Sequence, residues 1–310
     1  MLAAAPNALH TTFSSAYRQC LEEILGRGAF AAPRDLPTRE VLHCSFALSD
    51  PRARTLNVRQ YSTSYCIAEA LWYLLGRNDA QWIERYAAFW RKIAKPDGSC
   101  TSAYGFKVLP QLNRVVEELR ESPSSRRAVV NILLPTDHDN PLDVPCTIAL
   151  QYLVRDGRLH AQTYMRSCDV VWGLPYDVFS FTVFQELVAG LLGLPLGNYV
   201  HTATSLHLYE RHGARASNAL DDVLGARPFP SPMSPLTWPA PLADLEHEEE
   251  RMRSSLRPIV GRWSREIPRP WSDWRLILAA RQARLLHDAE AEAACWSLLT
   301  DHGLAEANRA

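Results

Sequence analysis

Along residues 13–25 the apolar positions Phe13, Tyr17, Leu21 and Ile24 fall on one helix face, and Gly26 and Gly28 end the pattern. A second helix is predicted near 62–75, where Glu69 is set among Tyr65, Ala68, Leu71, Trp72 and Leu75. Further helices are expected over 79–93 and 109–121, the latter stopped by Ser122-Pro123. Residues 29–40 read as a loop rich in Pro and Arg, and residues 126–134, RRAVVNILL, as a buried strand. The clearest local signal follows. CTIALQYLVR and RLHAQTYM flank Asp156-Gly157, the pair preferred in a type I′ hairpin turn. An apolar helix is expected over 176–192, ended by Gly193 and Pro195, then a strand over about 198–207.

From 228 to 241 there are six prolines in fourteen residues, which predicts an extended linker or wrapping segment. Beyond it, 243–256 and 271–299 have helical patterns. The first is charged enough for a solvated face, and the second carries Trp274, Ile277, Leu278 and Leu285 for packing. No internal repeat is present. Strands mixed with helices without strict alternation predict an α+β fold. The expected organisation is a catalytic domain over 1–227, the proline-rich linker at 228–241, and a helical C-terminal extension over 242–310 packed on that domain.

Composition narrows the functional classes. Of 310 residues, 47% are apolar and 22% charged, the balance of a globular protein. The net charge of −1 provides no global field for nucleic acid or an anionic membrane, so any anion site must be local, and DNA is not expected as a partner. The seven cysteines, at 20, 44, 66, 100, 146, 168 and 295, form no CxxC pair and no Cys/His cluster with zinc spacing, so no metal site is expected. They suit a reducing cytoplasm. MLAAAPNALHTT lacks the features of a secretion signal, and no run of 18 apolar residues predicts a membrane span.

The hairpin supplies a candidate nucleophile. A two-residue turn pairs Arg155 with Arg158, and an unbroken ladder sets Cys146 opposite Ser167 and next to Arg166. Arg166 then starts on the other face. A long Arg that bends round the strand end would favour the thiolate of Cys146. The alternative is that Cys146 is a small buried hydrophobe, as most free cysteines are. Geometry alone leaves Cys168 open as well.

At this point several words of the sequence act together. SRR at 125–127, PC at 145–146, RSCDVVWGLP at 166–175, HLY at 207–209, AEALWYLLG at 68–76 and AYG at 103–105 resemble the thymidylate synthase superfamily, in that family's order over about 13–212. The resemblance implies a large mixed β-sheet flanked by helices, and a homodimer packed through that sheet. It implies one-carbon chemistry at C5 of a pyrimidine nucleoside monophosphate, with 5,10-methylenetetrahydrofolate as co-substrate. On the matched positions, Cys146 is the nucleophile that adds to C6 of the ring. Arg34, Arg166 and Ser167 grip the phosphate, and Arg126 and Arg127 reach it from the partner subunit. Glu69 organises proton transfers around the ring, and Tyr104 assists removal of the C5 proton. His207 and Tyr209 bond the sugar 3′-hydroxyl. Asp169, Trp90 and Gly173 hold the folate. Three departures stand out. The Arg34 loop lacks the synthases' Arg-Thr-Gly-Thr pattern, Ser205 stands where they often have Asp, and Thr147 follows the nucleophile where many have His.

Asp177 is the most informative departure, since synthases acting on dUMP carry Asn there. An amide pairs with O4 and N3–H of uracil. A carboxyl sharing one proton instead accepts from the 4-amino group of cytosine and bonds N3. The bland alternative for Asp177 is a helix N-cap. The substitution resembles the deoxycytidylate hydroxymethylase branch, which adds water to the transferred carbon and releases tetrahydrofolate. The expected reaction is therefore dCMP + 5,10-methylenetetrahydrofolate + water to 5-hydroxymethyl-dCMP + tetrahydrofolate. The rival expectations are CMP hydroxymethylation in nucleoside-antibiotic assembly, methylation of dUMP by a thymidylate synthase, and a catalytically idle nucleotide- or RNA-binding protein. No short apolar C-terminal lid is evident in HGLAEANRA.

Overall fold

The structure is a computed structural model and describes residues 8–225 and 229–307. A short strand β1 (Ala8–His10) leads into helix α1 (Phe13–Arg27), whose N-cap Thr12 accepts from the Ser15 amide. The predicted loop at 29–40 holds strand β2 (Ala29–Ala31) and a 3-10 turn at Pro33–Asp35 before the long strand β3 (Thr38–Leu48). Helix α2 (Thr63–Leu74) follows, capped by Ser62 and buried on nearly every face. The helix expected over 79–93 is broken. Its two pieces are α3 (Ala80–Ile83), capped by Asp79, and α4 (Phe89–Ile93). Helix α5 runs Tyr104–Glu121, a turn longer at its start than predicted, with Pro110 tolerated inside it.

The strand expected over 126–134 shrinks to β4 (Val129–Asn131). Strands β5 (Thr147–Arg155) and β6 (Arg158–Met165) form the predicted hairpin, with Asp156 and Gly157 at φ 51° and 67°. A two-residue strand β7 (Cys168–Asp169), helix α6 (Leu174–Leu192), strand β8 (Leu196–Tyr209) and helix α7 (Gly213–Gly225) complete this part. The sheet order is β1-β3-β8-β6-β5-β4, with β2 on β3 and β7 on β8. Parallel and antiparallel pairs coexist: β8 runs parallel to β6 and antiparallel to β3. The fold is α+β, a large mixed sheet flanked by helices.

The C-terminal helices are α8 (Leu242–Ser254), α9 (Trp271–Leu285), α10 (Ala289–Leu298) and α11 (His302–Glu306). The single helix expected over 271–299 is thus two, separated where His287 takes a left-handed φ of 57°. The described part of the proline-rich segment lies against α6. Met233 and Leu236 are buried, and the Trp238 ring packs so close to Gly190 that a Cβ there would meet it at 2.3 Å. Arg54 is fully buried and binds Glu186 of α6, whose other oxygen accepts from the Leu236 amide at 3.2 Å. The solvated face expected for 243–256 is not what forms. Glu248 and Glu249 are fully buried, because Ser264 and Arg265 amides, Tyr86 Oη and the arginines Arg251 and Arg253 satisfy their oxygens. Among the described residues no helix is long and apolar enough to cross a membrane.

Candidate active site

The bulge in β5 decides where Cys146 sits. Pairing keeps Arg155 opposite Arg158 as far as Ala149–Tyr164, then slips by one, so Thr147 faces Met165. Cys146 therefore lies across from Arg166, whose amide donates to its carbonyl at 2.9 Å, and not opposite Ser167. The guanidinium folds back over the same loop. Nε donates to Pro145 O at 2.9 Å, Nη2 to Val144 O at 2.8 Å, and Nη2 stands 3.8 Å from Cys146 Sγ. The bend expected from sequence is present, but its effect on the thiol is outweighed. Burial pushes the Cys146 thiol up, Arg166 and Arg34 pull it down, and Asp177 and Asp143 oppose them. The resting group is a thiol with a cation waiting beside it.

Asp143 fixes the approach to that loop. Its carboxylate accepts from the Thr101 amide at 2.5 Å, the Ser102 amide at 3.1 Å and the Ser102 hydroxyl. This ties the turn before α5 to the turn before β5, and Tyr104 heads α5. The Tyr104 phenol is buried, with the charges of Asp177 and Cys146 bearing on it and raising it further.

Glu69 lies at mid-helix in α2, 5% exposed. Tyr65, one turn earlier, donates to Oε1 at 2.5 Å, and Ser180 of α6 reaches Oε2 at 3.4 Å. Burial lifts the Glu69 carboxyl to about 7 despite these donors. Trp90 is 7% exposed, edge-on to Trp72, and its indole N–H donates to Tyr65 Oη at 3.0 Å. Its polar edge thus serves the Tyr65–Glu69 pair.

The Asp177 carboxyl caps nothing. Gly173 is the N-cap of α6, and the Asp177 amide already lies inside the helix, donating to Gly173 O at 2.9 Å. Among the described residues no donor reaches its oxygens. Burial, then the charges of Glu69 and Asp169, push this carboxyl well above the usual range. Space at Gly173 is tight: a Cβ would stand 3.1 Å from Asp169 O and 3.3 Å from Asp177 Oδ2. Asp169 Oδ1 accepts from the Val171 and Trp172 amides at 2.7 and 2.9 Å, which shapes the entry to α6.

On β8, His207 and Tyr209 follow one another on one face, rings edge-on at 5.2 Å, and Ser167 Oγ stands 3.3 Å from His207 Nδ1. Arg34 is exposed, at a left-handed φ of 55° in the loop before β3. Arg126 and Arg127 are exposed before β4. Arg127 is paired with Glu118 at 3.0 Å, whereas Arg126 has no carboxylate partner among the described residues. The sequence reading missed Tyr65, Ser180 and Asp143. Tyr65 was within reach, since an i, i+4 pair shares a helix face. The other two depend on tertiary contacts that no local pattern carries.

Comparison with known proteins places the chain in a family. A family profile described as thymidylate synthase matches residues 15–237. The chain belongs to the thymidylate synthase family. Among solved structures, the thermostable thymidylate synthase A of Bacillus subtilis superposes with a TM-score of 0.60 at 24% identity, covering 72% of this chain and 87% of that one. The family binds nucleotide and folate substrates, and methylenetetrahydrofolate is its co-substrate. The matched region ends at residue 237, so α8 to α11 lie outside it.

Proposed function

We propose that this family member is a deoxycytidylate hydroxymethylase, acting on dCMP with methylenetetrahydrofolate. One observation carries the base assignment: a carboxyl at position 177 with no protein donor on its oxygens among the described residues, pushed toward its neutral form by burial and by two neighbouring acids. A neutral carboxylic acid offers one O–H donor and one C=O acceptor. Cytosine presents the complement, an acceptor at N3 and a donor at the 4-amino group. Attack at C6 raises electron density at N3, which can then take the Asp177 proton. Uracil presents the reverse pattern, N3–H and an O4 acceptor, which suits the neutral acid alone and is repelled at O4 once the acid ionises.

The remaining residues take roles that their surroundings suit. Cys146 adds to C6, its thiol proton passing to solvent as Arg166, 3.8 Å from the sulfur, stabilises the developing thiolate. Arg166, Ser167, Arg34 and, from a partner subunit, Arg126 and Arg127 bind the 5′-phosphate. Glu69, poised at about 7, relays protons at the base through Tyr65. Tyr104 takes part in loss of the C5 proton. Asp169 and the edge of Trp90 flank the pterin.

The test is product analysis of dCMP, CMP and dUMP with the folate donor, for the wild type and Asp177→Asn. The expected product is 5-hydroxymethyl-dCMP with tetrahydrofolate, and the variant shifts preference toward dUMP. Dihydrofolate and a methylated base from the wild type, or unchanged base choice in the variant, would sink the assignment. CMP preferred over dCMP would select the ribonucleotide reading instead.

A further inference from the structure

One acid near the nucleotide wall has no place in the roles above. Glu40 lies on β3 directly across from His207 on β8, with Thr38 across from Tyr209 and Leu42 across from Ser205. Residues paired in this way point to one face, about 5 Å apart at Cβ. Glu40 is half-buried. Its Oε1 accepts from Ser205 Oγ at 2.5 Å, and its Oε2 has no partner among the described residues. The Glu40 charge also bears on the His207 imidazole, opposing the lowering that burial causes. Ser205 is thereby occupied as a donor and holds the carboxylate in place over the strand.

We propose that Glu40 is a specificity-determining residue that accepts the 3′-hydroxyl of the nucleotide sugar, beside His207. This rests on the reading of the site as one for a pyrimidine nucleoside monophosphate. The geometry supplies the order. Arg166 and Ser167 mark the phosphate end, Ser167 touches His207 at 3.3 Å, and Glu40 lies beyond His207 on the next strand. A carboxylate is repelled by a phosphate, so its place at the far end of this row matches the sugar and not the 5′ group. In the tautomer in which Ser167 donates to Nδ1, His207 carries its proton on Nε2. A hydroxyl that accepts from Nε2–H and donates to Glu40 Oε2 has both its donor and acceptor satisfied. Neither group serves a sugar carbon that bears hydrogen alone.

The experiment compares dCMP with 2′,3′-dideoxy-CMP on wild type and Glu40→Gln, reading kcat/KM for release of the C5 proton. Glutamine keeps the Ser205 contact through its amide oxygen and removes the charge. The expected result is a fall of at least tenfold on dCMP and less than threefold on the dideoxynucleotide. Equal falls on both, or none on dCMP, would overturn the inference. Should Glu40→Gln fold poorly, Glu40→Asp withdraws the charge by one methylene, and the same contrast or its absence decides. A wild type that turns over neither nucleotide defeats the functional reading itself, and that result is distinct from either outcome in the variant.

Discussion

The Glu69 carboxyl offers a direct test of how the site stores its protons. Burial lifts it from an ordinary 4.5 to about 7. In the unfolded chain Glu69 ionises near 4.5, so between that pH and 7 the folded state holds the proton that the unfolded state has lost. Stability therefore falls as pH rises through this window. At about 1.4 kcal/mol per pH unit, the ionised residue costs the fold about 3 kcal/mol by pH 8. Glu69→Gln removes that cost and still accepts the Tyr65 hydroxyl, bonded at 2.5 Å in the wild type. The variant should match the wild type within about 1 kcal/mol at pH 4.5 and exceed it by about 2–3 kcal/mol at pH 8 in urea unfolding. It should also lose turnover by about 100-fold or more, since the amide cannot relay a proton. A stability difference that stays flat between pH 4.5 and 8 would refute the claim that Glu69 is buried without a cationic partner.

Two further outcomes follow from the packing. Arg54→Ala leaves Glu186 buried without its cation and should cost about 3–5 kcal/mol in urea unfolding, with Arg54→Met/Glu186→Leu recovering most of it; a loss under about 1 kcal/mol would mean the pair does not pin the proline-rich segment. Arg281→Ala removes the donor to the Arg85 carbonyl, at 2.5 Å, and the cation over the Tyr86 ring, and should cost about 1.5–3 kcal/mol in urea unfolding; a change under about 0.5 kcal/mol would mean that these contacts do not hold α9 to the segment before α4.

The parts of the fold that were legible in sequence are those set by local chemistry. The Asp-Gly turn gave the hairpin, and the apolar stripe with Ser62 at its head gave α2. What was not legible depends on contacts between distant segments. The bulge before Ala149 carries no residue signature, yet it moves Cys146 from Ser167 to Arg166. The charged run at 243–256 has the composition of a solvated face. Amides of Ser264 and Arg265, some sixteen residues on, are what allow Glu248 to be buried. In the candidate site, the matched words located the residues, but not the state of their protons. An Arg beside a Cys suggests a thiolate, and only the burial of that loop shows that desolvation wins.

That result has a consequence for the order of events. Glu69, Asp177 and Cys146 are all pushed toward their neutral forms by burial, and the charges of Glu69 and Asp169 add to that effect at Asp177. A site in this condition meets a neutral cytosine without a charge opposed to it, while the phosphate is met by exposed arginines at the rim. Charge then develops as the reaction proceeds. The sulfur becomes anionic only as it approaches C6, where Arg166 already stands. N3 becomes basic only after that bond begins to form, and the Asp177 proton lies within reach at that moment. Uracil changes the second step, because its N3 already carries a proton and the charge from attack at C6 falls on O4, which meets a donor at Asp177 only while that acid is protonated. On this argument, the ratio of dUMP to dCMP turnover should rise as pH falls toward the range in which Asp177 stays protonated, while protonation of Glu69 lowers both rates alike. Parallel pH profiles for the two nucleotides would show that Asp177 does not exchange its proton with the base.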